Sequence, residues 1–207
     1  MADPDDLTDE QLAVLEFWLA DGLERGWPSA AMSQRWFGAA AALDREINQR
    51  FGALVRQAAD GGLTEWEAAP LPRLALVILL DQFMRNLFRG QAEAFAGDSR
   101  SQRLVLDALG REMDAKLPWV GRVFLLMPLM HAEDLALQQR CVQGFEALAR
   151  EVPQAIAREI EGNLRFAKSH LEIIESYGRF PYRNEVLARA STEAELEFLK
   201  NGPRFGQ

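Results

Sequence analysis

Apolar residues recur along this chain at spacings of three and four, the period of an α-helix. Leu12, Leu15 and Leu19 share one face, with Trp18 beside them. Thr8 and Gln11 have the form of a capping box, so a helix is predicted from Thr8 to about Asp21, broken by Gly22, Gly26 and Pro28. A short helical piece follows from Met32 to Phe37. A long helix then runs from Ala40 to Ala59 and stops at Gly61 and Gly62. Thr64 and Glu67 suggest a second capping box before a turn of helix. Pro70 and Pro72 open the next helix, which ends at Arg89 before Gly90. Asp98 or Ser99 caps a helix to about Asp114. Another spans Pro118 to Met127, where Pro128 interrupts it, and its successor reaches about Glu151. Pro153 starts a long helix that ends at Tyr177 before Gly178. Thr192 with Glu195 caps a last helix to Lys200.

No segment alternates apolar and polar residues over a strand's length. The most strand-like run, Leu74 to Leu80, is rich in Leu and Ala and lies inside a longer helical pattern. Neither a linker nor a repeat of about 34 residues is visible. The expectation is one all-α domain over 1–207, with residues 1–8 as a flexible acidic N-terminus. Short connections between helices favour antiparallel helical hairpins.

Charge sharpens this picture. Eight acidic groups and no Lys or Arg fall within residues 1–24, while the rest of the chain balances its 23 basic side chains with as many acidic ones. A net charge of −8 argues against non-specific binding to nucleic acid or to an anionic membrane. The longest apolar run has seven residues, against roughly 20 for a spanning helix. The acidic start is not a signal peptide, and the single cysteine, Cys141, cannot form an internal disulfide. A soluble, cytoplasmic protein is the expectation. Oligomeric state stays open.

Three polar motifs stand in apolar surroundings. In LALVILLDQFMRNLFRG, a rotation of 100° per residue places Asp81, Gln82, Arg85, Asn86 and Arg89 in a sector about 140° wide. Asp81 and Arg85 form a favourable i,i+4 pair. In PLMHAEDLALQQ, His131, Asp134 and Gln138 share a face, and Glu133 points elsewhere. A His–Asp pair can orient an imidazole for acid–base work, although one histidine with one carboxylate is too few ligands for a metal. In HLEIIESYGRFPYRNEVLAR, His170 borders an apolar stripe, as does Asn163 one helical stretch earlier. Arg179, Arg183 and Asn184 then follow Gly178 on a loop pinned by Pro181. Two arginines and an asparagine can bind a carboxylate or phosphate, and can equally cap carbonyls or pair with Asp81, Glu133 or Asp134. Trp18, Trp36, Trp66, Trp119 and Cys141 read as core. No P-loop, GxGxxG, GxSxG or cysteine-based metal spacing is present, so neither cofactor nor metal is expected.

LLDQFMRNLFRG, PLMHAED and GRFPYRN, followed by a Thr-capped FLK helix, resemble a bacterial family of unknown function numbered 924 among such domains. The resemblance begins near VLEFWLA and covers nearly the whole chain. It implies a tetratricopeptide-like α-α superhelix and brings no activity with it. Two positions depart from the family's pattern. Met84 stands where proline is usual, and Tyr182 where histidine is common, which weakens any scheme needing a third histidine.

The leading expectation is a non-enzymatic domain that binds a protein partner or a small anionic ligand in an Arg/His/Asn-lined cleft. Arg85, Arg179 and Arg183 would face the anion, and Gln82, Asn86 and Asn184 would give direction. The alternative is a hydrolase or transferase for an anionic small molecule. There His131 is the general base, oriented by Asp134 or Glu133, and water attacks for want of a nucleophile. A third reading is a buried polar network that only fixes helix register.

Overall fold

The computed structural model describes residues 7–38, 40–203 and 205, so most of the acidic N-terminus lies outside the described residues. Among these residues the secondary structure is helical throughout, and the fold is all-α. No described helix is long and apolar enough to cross a membrane.

Thr8 caps α1 (Asp9–Leu19) with both bonds of the box: the Gln11 N–H donates to the Thr8 hydroxyl and the Thr8 N–H to the Gln11 side chain. The helix stops before Asp21 because Ala20 turns to φ +50°. A single turn, α2 (Gly22–Arg25), and then α3 (Ser33–Phe37) follow. In α4 (Ala41–Ala59), Leu43, Ile47, Phe51, Val55 and Ala58 form the buried stripe that their spacing predicts. The second expected capping box does not form. Leu63 adopts φ +58°, residues Thr64–Glu67 make a 3₁₀ turn, and the Glu67 carboxylate accepts from Arg100 instead.

The central element begins at Pro70. Its α5 (Pro70–Val77) is largely apolar and buried, and its one charged side chain, Arg73, is buried with it and satisfied by the Glu67 and Leu104 carbonyls and by Asp107. It continues through a π-helical segment, Ile78–Phe83, into α6 (Met84–Leu87). Around it pack α1, α4, α7 (Asp98–Gly110) and α8 (Trp119–Met130). Two expectations change here. Asp98 does not cap α7, since its carboxylate is taken by arginines. Pro128 sits inside α8 rather than ending it. The helix gives up the backbone hydrogen bond that Pro128 cannot donate and still runs on to Met130.

The next helix, α9 (Leu135–Glu151), returns along α8, and α10 (Ala157–Tyr177) packs along α9. Gly178 ends α10 in the left-handed region at φ +68°, where glycine is at ease. After a loop, α11 (Glu193–Asn201) starts with the predicted Thr192–Glu195 box, both bonds present. One large core gathers α1 and α4 to α10. In it Trp18 meets Phe83 edge-on at 5.3 Å and Phe124 at 5.8 Å. A smaller cluster of Ile173, Ile174 and Phe180, with Tyr182 and Phe205 against it, lies under the C-terminal loop.

Candidate functional site

The π-helical turn delivers Asp81 into the protein, where 1% of its side chain is exposed. A π turn adds a residue to the helical register, and such turns recur at functional sites. Asp81 Oδ1 lies 2.7 Å from His131 Nδ1, Gln82 Nε2 donates to Oδ2 at 2.6 Å, and Arg85 stands at 3.6 Å. Burial alone would raise the Asp81 pKa, but His131, Arg85 and these hydrogen bonds outweigh it and hold it at about 2. The ionised carboxylate can only accept, so the hydrogen in the contact is on His131 Nδ1. His131 itself is the residue that ends α8.

His170 comes from the middle of α10 and is buried. Its Nδ1 lies 2.8 Å from the Phe166 carbonyl, which can only accept, so this nitrogen too carries the hydrogen. Phe205 stacks on the ring at a centroid distance of 3.8 Å. Burial, reinforced by His131 and Arg183, pushes the His170 pKa down to about 3. The two imidazoles lie 6.2 Å apart, and both line a cavity of about 260 Å³ with Met127, Met130, Asn163 and Phe166. No hydrogen bond occupies either Nε2 among the described residues.

Behind this cavity lies a charged network. Arg85 donates to the Ala94 carbonyl at 2.8 Å and to Asp98 at 3.1 Å. Arg183 shares Asp98 at 3.5 Å, held between the rings of Phe95 and Phe180. Burial and the neighbouring Arg85 charge lower its pKa, and its Nε and Nη2 have no hydrogen-bond partner among the described residues. Glu133 receives two bonds from Arg189, at 2.6 and 2.9 Å, and one from the Phe180 N–H.

The model of the bacterial family described as "Bacterial protein of unknown function (DUF924)" matches residues 14–203. The chain belongs to this family. A solved structure of a protein of unknown function from Agrobacterium tumefaciens is similar to it, with 33% sequence identity and a TM-score of 0.77, over 93% of this chain and 97% of that one. No curated protein matches the chain.

Set against the three motifs, this DUF924 chain brings together Asp81, Gln82, Arg85, His131, His170 and Arg183, and disperses the rest. The sector of the first motif splits at the π turn, because a 100° wheel does not hold across it. Asn86 and Arg89 bond Asp44 on α4, at 2.7 Å and 3.1 Å. Asp134 does not orient His131. It is the N-cap of α9 and accepts from the Leu137 N–H, in a separate element from His131. Gln138 turns inward to the Met130 and Ala132 carbonyls. Glu133 likewise serves Arg189 rather than His131, so Asp81, 50 residues away in sequence, is the orienting acid. Arg179 leaves the cluster for Glu195, at 2.6 and 2.8 Å, and the Ala190 carbonyl. Asn184 bonds Ser191 and Arg189. Asp98 and Arg189 were missed. Asp98 looks like a cap from sequence, and nothing in the spacing ties Arg189 to Glu133. Among the described residues, no three His, Cys, Asp or Glu side chains gather as a metal group would.

Proposed function

We propose that the chain is a small-molecule-binding domain whose ligand enters the histidine-lined cavity and presents a hydrogen-bonding group to His131. The observation that carries this reading is the buried Asp81–His131 pair beside that cavity, with His131 Nε2 unengaged. Taking a carboxylate out of water is costly, and here it fixes the tautomer and aim of one imidazole. The arginines expected to receive an anion are each engaged by a carboxylate, and none lines the cavity. Met127, Met130 and Phe166 make a ligand with a largely apolar body the better fit. The stacking of hairpins into a tetratricopeptide-like superhelix belongs to this reading too, supported by the run α8–α9–α10, where each helix packs on the one before.

The test is thermal shift against a panel of amphipathic and polar compounds. A ligand at 100 times its Kd stabilises by about 2.7 kcal/mol, several degrees for a domain of this size. The expected result is a shift that His131→Gln removes and Arg179→Ala keeps. A panel without a hit, or a shift that survives His131→Gln, counts against the reading. Asp81→Asn should cost on the order of 3–5 kcal/mol in urea denaturation, as for a broken buried pair.

The same pair favours a second reading, general acid–base catalysis, because a carboxylate on Nδ1 leaves Nε2 to take a proton. Among the described residues no Ser, Thr or Cys lines the cavity, so the proton would come from water or from the ligand. A turnover assay on neutral p-nitrophenyl esters checks it: His131→Gln should lower the rate about 10²–10⁴-fold, and equal rates would exclude the role.

A further inference from the structure

The histidine cavity is not closed. It shares Phe37, Asn163 and Phe166 with a second cavity of about 570 Å³, which runs between α3 and the start of α10 past Trp27, Trp36 and Ile156. The two adjoin at these residues, and read together as a channel they fall within the roughly 300–1,000 Å³ range of small-molecule sites. Its walls carry Trp27, Trp36, Phe37, Ile156 and Phe166, with Arg25 and Glu159 at the outer part. Its inner end is polar and is formed by the two imidazoles.

The hydrogen positions at that inner end decide what fits. Both Nδ1 atoms hold their hydrogens against acceptors of the protein, Asp81 on one side and the Phe166 carbonyl on the other. Burial keeps the His170 ring neutral, so its Nε2 offers a lone pair. A ligand head must donate a hydrogen bond to it. A carboxylate has only acceptors and would face the His170 lone pair unpaired. An alkylammonium at the inner end would lose its water with no free carboxylate among the described lining residues there, since Asp81 is already covered by His131, Gln82 and Arg85. A hydroxyl donates to His170 and can still accept a hydrogen bond through its oxygen.

We propose that the channel holds an aliphatic alcohol, its hydroxyl between His131 and His170 and its chain lying along Phe37 and Phe166 towards Trp27. This rests on reading the histidine cavity as a ligand site. The chain-length preference is then set in the outer part of the channel. Gly162 lines it, and a Cβ there meets only Arg165, at 3.8 Å. A larger side chain at this position enters the channel without disturbing the core. It also replaces glycine in a helix, so it does not weaken α10.

The experiment is a titration of the full chain, ¹⁵N-labelled at histidine, with 1-butanol, 1-hexanol and 1-octanol, and with octanoate and octylamine. The observable is the Nε2 resonance of each histidine. The alcohols should move both resonances, and affinity should rise about fourfold per methylene as apolar surface is buried. Gly162→Leu should keep butanol binding and lose most of the gain from hexanol to octanol. If octanoate or octylamine moves the His131 Nε2 resonance and octanol does not, the alcohol assignment is overturned while the cavity remains a ligand site. If none of the probes moves it, both readings fall together. An octanol affinity unchanged in Gly162→Leu overturns the placement of the chain.

Discussion

His170 shows how much one residue's surroundings decide. In an unfolded chain it takes up a proton near pH 6.5, whereas in the fold it resists until about pH 3. The unfolded state thus binds the proton first as pH falls, and stability is lost between those two values. The slope from this residue is about 1.4 kcal/mol per pH unit once the pH is well below 6.5. His170→Phe should flatten that part of the curve. Urea midpoints at pH 7.5, 6 and 5 for both proteins would check it, and parallel curves would refute it. Asp81 has the opposite ionic character. Its charge is held by His131, Arg85 and Gln82, so its contribution is present above pH 4 and lost only as pH falls towards 2.

Among the elements, the central helix is the one whose local geometry matters most for the site. Its π turn puts Asp81 opposite His131 and sends Asn86 and Arg89 to α4. Gly97 lies against this turn, since a Cβ there would collide with the Leu80 backbone carbonyl. Backbone cannot yield as a flexible side chain does. Gly97→Ala should therefore push α7 away, cost on the order of 1–3 kcal/mol as overpacking does, and loosen Asp98 from Arg85. Chemical denaturation measures the cost, and a variant as stable as the parent would show that the two segments are not in close contact. The capping boxes teach a related lesson. Thr8 and Thr192 meet their partners because real helices follow them. Thr64 does not, because Glu67 is drawn to Arg100 of α7.

Across the whole molecule, two cores of unequal size share the helices. The large one holds the central helix and α8, while the C-terminal loop rests on a small cluster and on the Glu133–Arg189 and Arg179–Glu195 pairs. Partly exposed ion pairs stabilise weakly. Local opening should therefore begin there. Amide exchange ought to be faster over 185–201 than over 71–84 and 120–130, and to quicken further with salt. Uniform protection across the three segments would mean that the chain opens as one unit.

Periodicity and breakers in the sequence determined the all-α class, the order of helices and two capping boxes. These depend on neighbours within a turn or two, where spacing and geometry are tied. That His131, His170, Asp81 and Arg183 need partners was also legible, because polar residues in apolar surroundings must be satisfied. Their pairing was decided only by tertiary structure. Asp134 and Glu133 are nearer to His131 in sequence, yet a helix start takes one and Arg189 the other. The π turn broke the helical wheel, and Asp98 became a shared anion for two arginines rather than a cap. Contacts that span 50 or 85 residues, as His131–Asp81 and Arg183–Asp98 do, depend on how helices pack, and packing leaves no local trace in the chain.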